Sequence, residues 1–309
     1  MLASLHQLRY FLEVVDRGSF SGAAASLGVA QSALSRHVKE LEERFGDRLL
    51  YRTGRGALPT EFAERFLPRI RMLCDESQQL FDDVIASRGD VAGRVRLGIL
   101  QSLSGLILTP LLLEIGERYP RIEMHVREGL ADHIEEWLAN GHADLGVLYA
   151  QPLTRRSAAE FLMSADLFVI GRGGDARIEK DTIPLGEVVH LPLVLPAPPN
   201  RWRLTIDHAC ANQSLKLNLV HELDSLQTIK DLIVSRGHFS ILPLHAVQRE
   251  VRAGSISVCR IVDPAIERDV VLRLTNWHQA SRGTAKVAEI LRRQVMEQVK
   301  SGALSGRIE

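Results

Sequence analysis

The chain has 309 residues, 45 % of them hydrophobic, and equal numbers of acidic and basic side chains for a formal net charge of zero. That balance excludes intrinsic disorder, collagen-like repeats and small disulfide scaffolds, and the length predicts two or three domains that each bury a core. No stretch reaches the about 18 consecutive apolar residues of a membrane span, and His6, Arg9 and Glu13 interrupt the opening residues where a secretion signal is apolar, so the expected setting is cytoplasmic.

The neutral average hides an asymmetry. No acidic residue lies between Arg17 and Lys39, and none between Arg48 and Thr60, where Arg48, Arg52 and Arg55 fall. Phosphate contact needs local positive potential rather than a basic chain. Cys74, Cys210 and Cys259 lie far apart, with no metal or CxxC spacing, and are expected to be buried, inert thiols of a reducing compartment.

The first 60 residues predict short helices. Leu5, Leu8, Phe11, Leu12 and Val15 space an amphipathic helix closed by Gly18. Ser19-Phe20-Ser21 opens a thin alanine-rich helix closed by Gly28. A longer helix over 31–45 places Leu34, Val38, Leu41 and Phe45 on one face and ends at Gly46. Helix, short turn, helix is the helix-turn-helix pattern. Two extended pieces around Thr53-Gly54-Arg55-Gly56 then make a wing.

Thr60 is the expected N-cap of a long helix running to about residue 88. Phe62, Phe66, Ile70, Leu73, Leu80 and Val84 approximate a heptad seam, with Ser77 in the missing place, as in a dimerisation helix. The alternative is a helix packed on its own domain. Pro68 is expected to kink it. Residues 89–93 compose a linker. Strands and helices then alternate: strands near 94–100, 122–127, 144–149, 167–170, 193–195, 217–221, 239–242 and 270–275, with helices near 106–118, 131–140, 201–212, 225–235 and 284–299. Such alternation predicts an α/β fold with a mostly parallel sheet, in two lobes, with a ligand crevice between them at the carboxyl ends of strands.

Phe11, Val14-Val15, Gly18-Ser19-Phe20-Ser21, Ala23-Ala24, Leu27, Gln31-Ser32-Ala33-Leu34-Ser35-Arg36, Leu41-Glu42, Phe45-Gly46, Leu49-Leu50, Arg52, Arg55, Leu58 and Thr60 together resemble the signature of the LysR-type transcriptional regulators. Leu97-Gly98-Ile99, Tyr119-Pro120, Glu128-Gly129, Leu138, Gly141, Asp144-Leu145 and Ile241-Leu242-Pro243 extend the resemblance over nearly the whole chain. Residues 166–171, with Glu222, Ser225 and Thr228-Ile229, resemble the nitrogen assimilation control subgroup. The resemblance implies a winged helix-turn-helix (1–59), a linker helix (60–89) and a periplasmic-binding-protein-like (type 2) effector domain (90–309), with lobe I at about 92–162 and 267–300 and lobe II at about 163–266. It also implies a homodimer assembling into a homotetramer, binding and bending of an interrupted inverted repeat in operator DNA, a small-molecule effector, and contact with RNA polymerase. No cofactor or metal is implied.

A recognition helix turns its N-terminal side chains to the major groove, here Gln31, Ser32, Ser35 and Arg36. Gln31 can pair with an adenine edge or reach a thymine oxygen. In similar proteins a Pro usually follows this glutamine; Ser32 replaces it here. Ser35 and Arg36 suit phosphates, with helix capping the alternative for the two serines and a plain surface charge for Arg36. Arg52 either meets phosphate or braces the wing by pairing with Glu42 or Asp47. Arg55, between glycines, is placed to enter an adjacent minor groove. Ser19 and Ser21 either cap their helix or present its N–H groups to a phosphate.

For the effector, Ser102 and Ser104 follow the first strand of the α/β part, where hydroxyls and helix N–H groups suit an anion; capping is the alternative. Family members often use Ser or Thr at the position of Ser102. Asn200 and Trp202, Ser225, and His238 in a turn where small residues are usual complete the candidates, and an anionic effector is expected. An enzyme is the first rival, but no GxSxG, P-loop, GxGxxG or HExxH is present. A solute-binding protein would not carry the first 60 residues. A DNA-binding regulator with no effector remains the alternative, to be separated by ligand protection against thermal unfolding.

Overall fold

The computed structural model describes residues 3–53, 56–86, 91–150, 159–198, 200–275 and 280–308, without the side chains of 53, 79 and 82–86. Two compact units emerge: Met1–Gly93 with Ala139–His142, and Arg94–Leu138 with Ala143–Glu309.

In the first unit, α1 (Leu5–Arg17) starts in a capping box, with Ser4 and Gln7 each accepting from the other's backbone N–H, and stops at Gly18 in the left-handed conformation. Helix α2 (Phe20–Leu27) buries Ala23 and Ala24, and their small side chains let it lie close to its neighbours. Helix α3 (Gln31–Phe45) sends Leu34, Val38 and Leu41 into a core shared with Phe11 and Val14. Strands β1 (Leu50–Thr53) and β2 (Gly56–Pro59) form the antiparallel wing. Glu42 holds its base by accepting from the N–H groups of Leu49 and Leu50 at 2.8 and 3.2 Å. Ala57 N donates to Gly18 O at 2.7 Å, and a Cβ at position 56 would collide with that same carbonyl, so glycine is required there.

Thr60 caps, as expected, accepting from Ala63 N at 3.1 Å while donating to Arg48 O at 2.8 Å. The helix it starts is short. Helix α4 (Glu61–Glu64) gives way at residues 65–66, and α5 (Leu67–Ala86) begins afresh. The expected kink is therefore an interruption just ahead of Pro68. Proline has no N–H to give Glu64 O four residues back, and its ring crowds that carbonyl. Ile70 is buried in the core of this unit, and Leu67 and Cys74 pack against it. Leu73 and Leu80 stand 50 % and 64 % exposed. Arg71 reaches back to the Asp16 carboxylate on α1, with one of its two bonds at 2.9 Å.

The second unit is built on an eight-stranded sheet. Its first half holds β3 (Gly93–Leu100), β4 (Ile122–Gly129), β5 (Leu145–Tyr149) and β12 (Glu267–Leu274). The 14-residue β6 (Ala159–Arg172) belongs to both halves: its 159–166 stretch pairs with β12, and its 167–172 stretch with β10 (Ser240–Pro243) and β11 (Ile256–Val262). Strand β7 (Thr182–Pro184) adds to β11, and β8 (Leu193–Leu195) pairs with β9 (Leu219–Glu222). The sheet is mixed rather than mostly parallel. Pairs β3–β5 and β7–β11 are parallel, as is the separate two-stranded β8–β9 sheet, but β12 is antiparallel to both β5 and β6, and β10 and β11 are antiparallel to β6. Strands β11 and β12 follow one another across four residues, both antiparallel to β6, the first on its 168–172 stretch and the second on its 159–166 stretch.

Helices α6 (Gln101–Arg118), α7 (Ala131–Ala139) and α12 (Arg282–Lys300) belong with the first half, and α8 (Leu185–Val188), α9 (Arg201–Ala211), α10 (Leu226–Arg236) and α11 (Gln248–Arg252) with the second. Pro110 inside α6 leaves the Leu106 carbonyl without its helical donor; Gln298 of α12 supplies one at 3.2 Å. Among the described residues no helix is long and apolar enough to cross a membrane.

Candidate DNA interface and ligand pocket

Helix α3 opens at Ala30 with no side-chain cap, and Gln31, Ser32 and Arg36 are exposed. Ser32 therefore does not cap. The first-turn N–H groups of α3 are left for an outside acceptor. Arg36 lies 3.8 Å from Glu40 with its side chain 70 % exposed, an interaction worth little in water. Arg52 pairs with neither Glu42 nor Asp47, whose carboxylates accept from backbone N–H groups. Instead it donates to Ser35 Oγ at 2.9 Å and lies over the Phe20 ring at 4.5 Å, tying β1 to α3 and α2. Ser19 caps α2 through Gly22 N at 3.1 Å, and Ser21 is exposed beside it. Arg55 lies outside the described residues.

In the second unit six strands end around one cavity: β3, β4 and β5 of the first half at Leu100, Gly129 and Tyr149, and β8, β9 and β10 of the second near Pro196, Asp224 and Pro243. Crevices at carboxyl strand ends are where α/β sheets hold ligands. Counting its open mouth, the cavity encloses about 720 Å³. The first turns of α6, α7, α9 and α10 also line it, at Gln101, Ala131, Arg201 and Leu226.

Of the expected effector residues, Ser102, Asn200 and Trp202 line this cavity; Ser104, Ser225 and His238 do not. Helix α6 begins directly at Gln101, without the expected loop, so neither Ser102 nor Ser104 caps it. Ser104 is buried and donates to Gln101 O at 3.1 Å. Asn200 caps α9 through Trp202 N at 3.0 Å, and Ser225 caps α10. The His238 ring packs edge-on against His221, 5.5 Å between centroids.

Three cavity-region residues escaped the sequence reading. The Tyr149 hydroxyl meets Ser102 Oγ at 3.4 Å and His245 Nε2 at 3.2 Å, joining the two halves beneath the cavity. Burial raises the tyrosine pKa and drives that of His245 down to about 3, so the imidazole is neutral. The third is Arg268. It lines the cavity, is 8 % exposed, and stacks over the Tyr149 ring at 4.6 Å. No group among the described residues accepts a hydrogen bond from its guanidinium, and burial lowers its pKa. Its position was legible: Ile266, Arg268 and Val270 are all buried, and the strand's alternation points Arg268 inward with them.

Arg201 behaves differently. Burial opposes its charge, but Glu135 at 2.9 Å and Asp132 outweigh that and raise its pKa. Its Nη1 and the Trp202 Nε1 are nonetheless buried with no partner among the described residues. All three cysteines are free thiols; Cys210 and Cys259 are buried, and burial with neighbouring Asp75 pushes Cys74 up to about 11. That suits inert packing. No group of metal-ligating side chains is found among the described residues.

The family description "Bacterial regulatory helix-turn-helix protein, lysR family" matches residues 5–64, and "LysR substrate binding domain" matches residues 88–296. An uncharacterized HTH-type transcriptional regulator of Shigella flexneri is 28 % identical, over 94 % of this chain and 94 % of its own. The nitrogen assimilation regulatory protein of Escherichia coli is 26 % identical, over 93 % of this chain and 94 % of its own. A full-length OxyR variant from Pseudomonas aeruginosa shares the fold with a TM-score of 0.78 at 20 % identity, covering 96 % of this chain and 95 % of its own.

Proposed function

This chain belongs to the LysR-type transcriptional regulators, DNA-binding proteins rather than enzymes, and on that footing we propose how its parts divide the work. Residues 1–59 read operator DNA, residues 60–89 pair protomers, and residues 90–309 hold a small-molecule effector in the cavity at the six strand ends. A dimer of dimers binds an interrupted inverted repeat, and effector occupancy alters that binding and the contact with RNA polymerase. Gln31 and Ser32 face bases. Ser21, Ser35, Arg36 and Arg52 face phosphates, and Arg55 enters the minor groove.

The observation that carries the DNA reading is the exposed, uncapped first turn of α3, with Gln31 and Ser32 on it, Arg36 on the turn that follows and Arg52 held beside it by Ser35. Neither the wing nor the helix commits a carboxylate to Arg52, so its charge is available to a phosphate. The exposed Leu73 and Leu80 on α5 are spaced for a partner helix.

Selection from random-sequence duplexes at two salt concentrations tests this. Two cationic phosphate contacts per protomer, from Arg36 and Arg52, predict about a hundredfold loss of dimer affinity between about 50 and about 200 mM salt. The expected product is an interrupted inverted repeat. Affinity independent of salt, or no enriched repeat with or without metabolite extract, would remove the assignment of this face.

A further inference from the structure

The hydrogen-bonding inventory of the cavity is one-sided. Its unmet groups are donors: the Arg268 guanidinium, Arg201 Nη1, Trp202 Nε1 and the uncapped first turn of α6. Several of its acceptors are engaged. Ser102 and Tyr149 share a hydrogen bond, Tyr149 reaches His245, and Asp132 is paired with Arg201. Arg201 Nη1 and Trp202 Nε1 are buried without a partner among the described residues, and a buried donor left unmet is destabilising. A partner that only accepts, and carries negative charge, relieves all of them together.

The charges near Arg268 limit how much negative charge that partner brings. Arg201 is paired with Asp132 and with Glu135, which it shares with Arg273, and Arg268 is a cation in the cavity wall with no carboxylate bonded to it among the described residues. Asp224, which accepts from Asn200 at 3.4 Å, adds a further negative group to the lining. A second anionic group on the ligand would meet these carboxylates. The remaining wall is apolar, with Leu100, Leu130, Leu226, Ile229, Leu242 and Ala246.

Resting on the assignment of this cavity as the effector site, we infer that its ligand is a monocarboxylate with an apolar body, its carboxylate received by Arg268 and the first turn of α6. Arginine presents a planar fork that matches a carboxylate with two parallel hydrogen bonds. Helix N–H groups and the positive end of the α6 dipole add to it. Because Arg268 stacks on Tyr149, and Tyr149 bonds both Ser102 and His245, the carboxylate would sit on the group that links the two halves of the sheet.

The test uses the full-length protein and defined probes: acetate, butyrate, benzoate and phenylacetate, each beside its primary amide and corresponding amine, with sulfate as the inorganic anion. At about 10 mM, benzoate or phenylacetate is expected to raise the melting midpoint by at least about 3 °C, with the amides, amines and sulfate below about 1 °C. By calorimetry Arg268→Gln weakens the same carboxylate at least about thirtyfold, and Arg268→Lys, which keeps charge but loses the fork, falls between. Amides that bind as well, carboxylates that all fail, or an Arg268→Gln variant that binds normally each overturn the inference. Operator affinity measured alongside separates it from its premise. An uncharged compound that fills the cavity and shifts operator binding leaves the effector site standing and removes the carboxylate. A carboxylate that binds through Arg268 without touching operator affinity does the reverse.

Discussion

Arg268→Met should make the ligand-free protein more stable, although it removes a buried side chain's aromatic contact. Arg268 is 8 % exposed as a residue, and its guanidinium has no acceptor among the described residues. Taking an ion of that kind out of water costs several kcal/mol after relaxation. Its stacking on Tyr149 at 4.6 Å returns about 2 kcal/mol in a desolvated setting. Methionine fills similar volume, keeps the packing of the aliphatic stem and gives up only the stacking. The net expectation is a gain of about 1–3 kcal/mol, or about 2–4 °C of melting midpoint per kcal/mol for a unit of this size. Urea unfolding of dialysed protein, followed by circular dichroism with the slope checked for constancy, gives the value directly. A loss of more than about 1 kcal/mol would mean that the guanidinium is satisfied within the fold and does not wait for a ligand carboxylate.

His245 makes acid stability specific. Its folded pKa is about 3, against about 6.5 when exposed, so unfolded chains take up the proton first. Its contribution is complete above about pH 6.5 and is lost as pH falls toward 3, about 2 kcal/mol of it by pH 5. His245→Gln should flatten the stability curve of the second unit between pH 6.5 and 5, measured by urea midpoints; an unchanged slope would place the proton uptake elsewhere. Leu73→Glu combined with Leu80→Glu should convert the assembly to monomer in sedimentation velocity and leave the melting of the monomer within about 1 kcal/mol, because both side chains are at least half exposed. An assembly that survives both charges would assign the pairing to another surface.

Much of the fold could be read from local signals. Gly18, Gly28 and Gly46 end their helices in the left-handed conformation, as their positions imply, and the apolar face of α3 is the buried one. Where the reading failed, non-local partners decided. Proline disrupts backward, so its effect appears at residues 65–66 rather than at Pro68. Strand direction depends on which segments β6 collects, and a 14-residue strand shared by two halves carries no local mark. The sequence offers the wing residue Arg52 both carboxylates and phosphate, but both carboxylates accept from backbone N–H groups ahead of the wing, Asp47 from Arg48 and Glu42 from Leu49. Ser102, Asn200 and Trp202 line the cavity because strand ends and helix starts predict a crevice. Arg268, Tyr149 and His245 come from three distant stretches and meet only in three dimensions.

The restart of α5 after residues 65–66 fixes more than a bend. Ile70 and the Arg71–Asp16 pair tie the start of α5 to the winged body. An α-helix advances about 100° per residue. One residue inserted between Arg71 and Leu73 would swing the Leu73–Leu80 stripe by more than a quarter turn. Three or four would nearly restore its bearing. If α5 pairs protomers as proposed, the azimuth at which two winged bodies meet DNA is counted out in whole helical turns, and changes of linker length should disturb operator binding more than changes of composition.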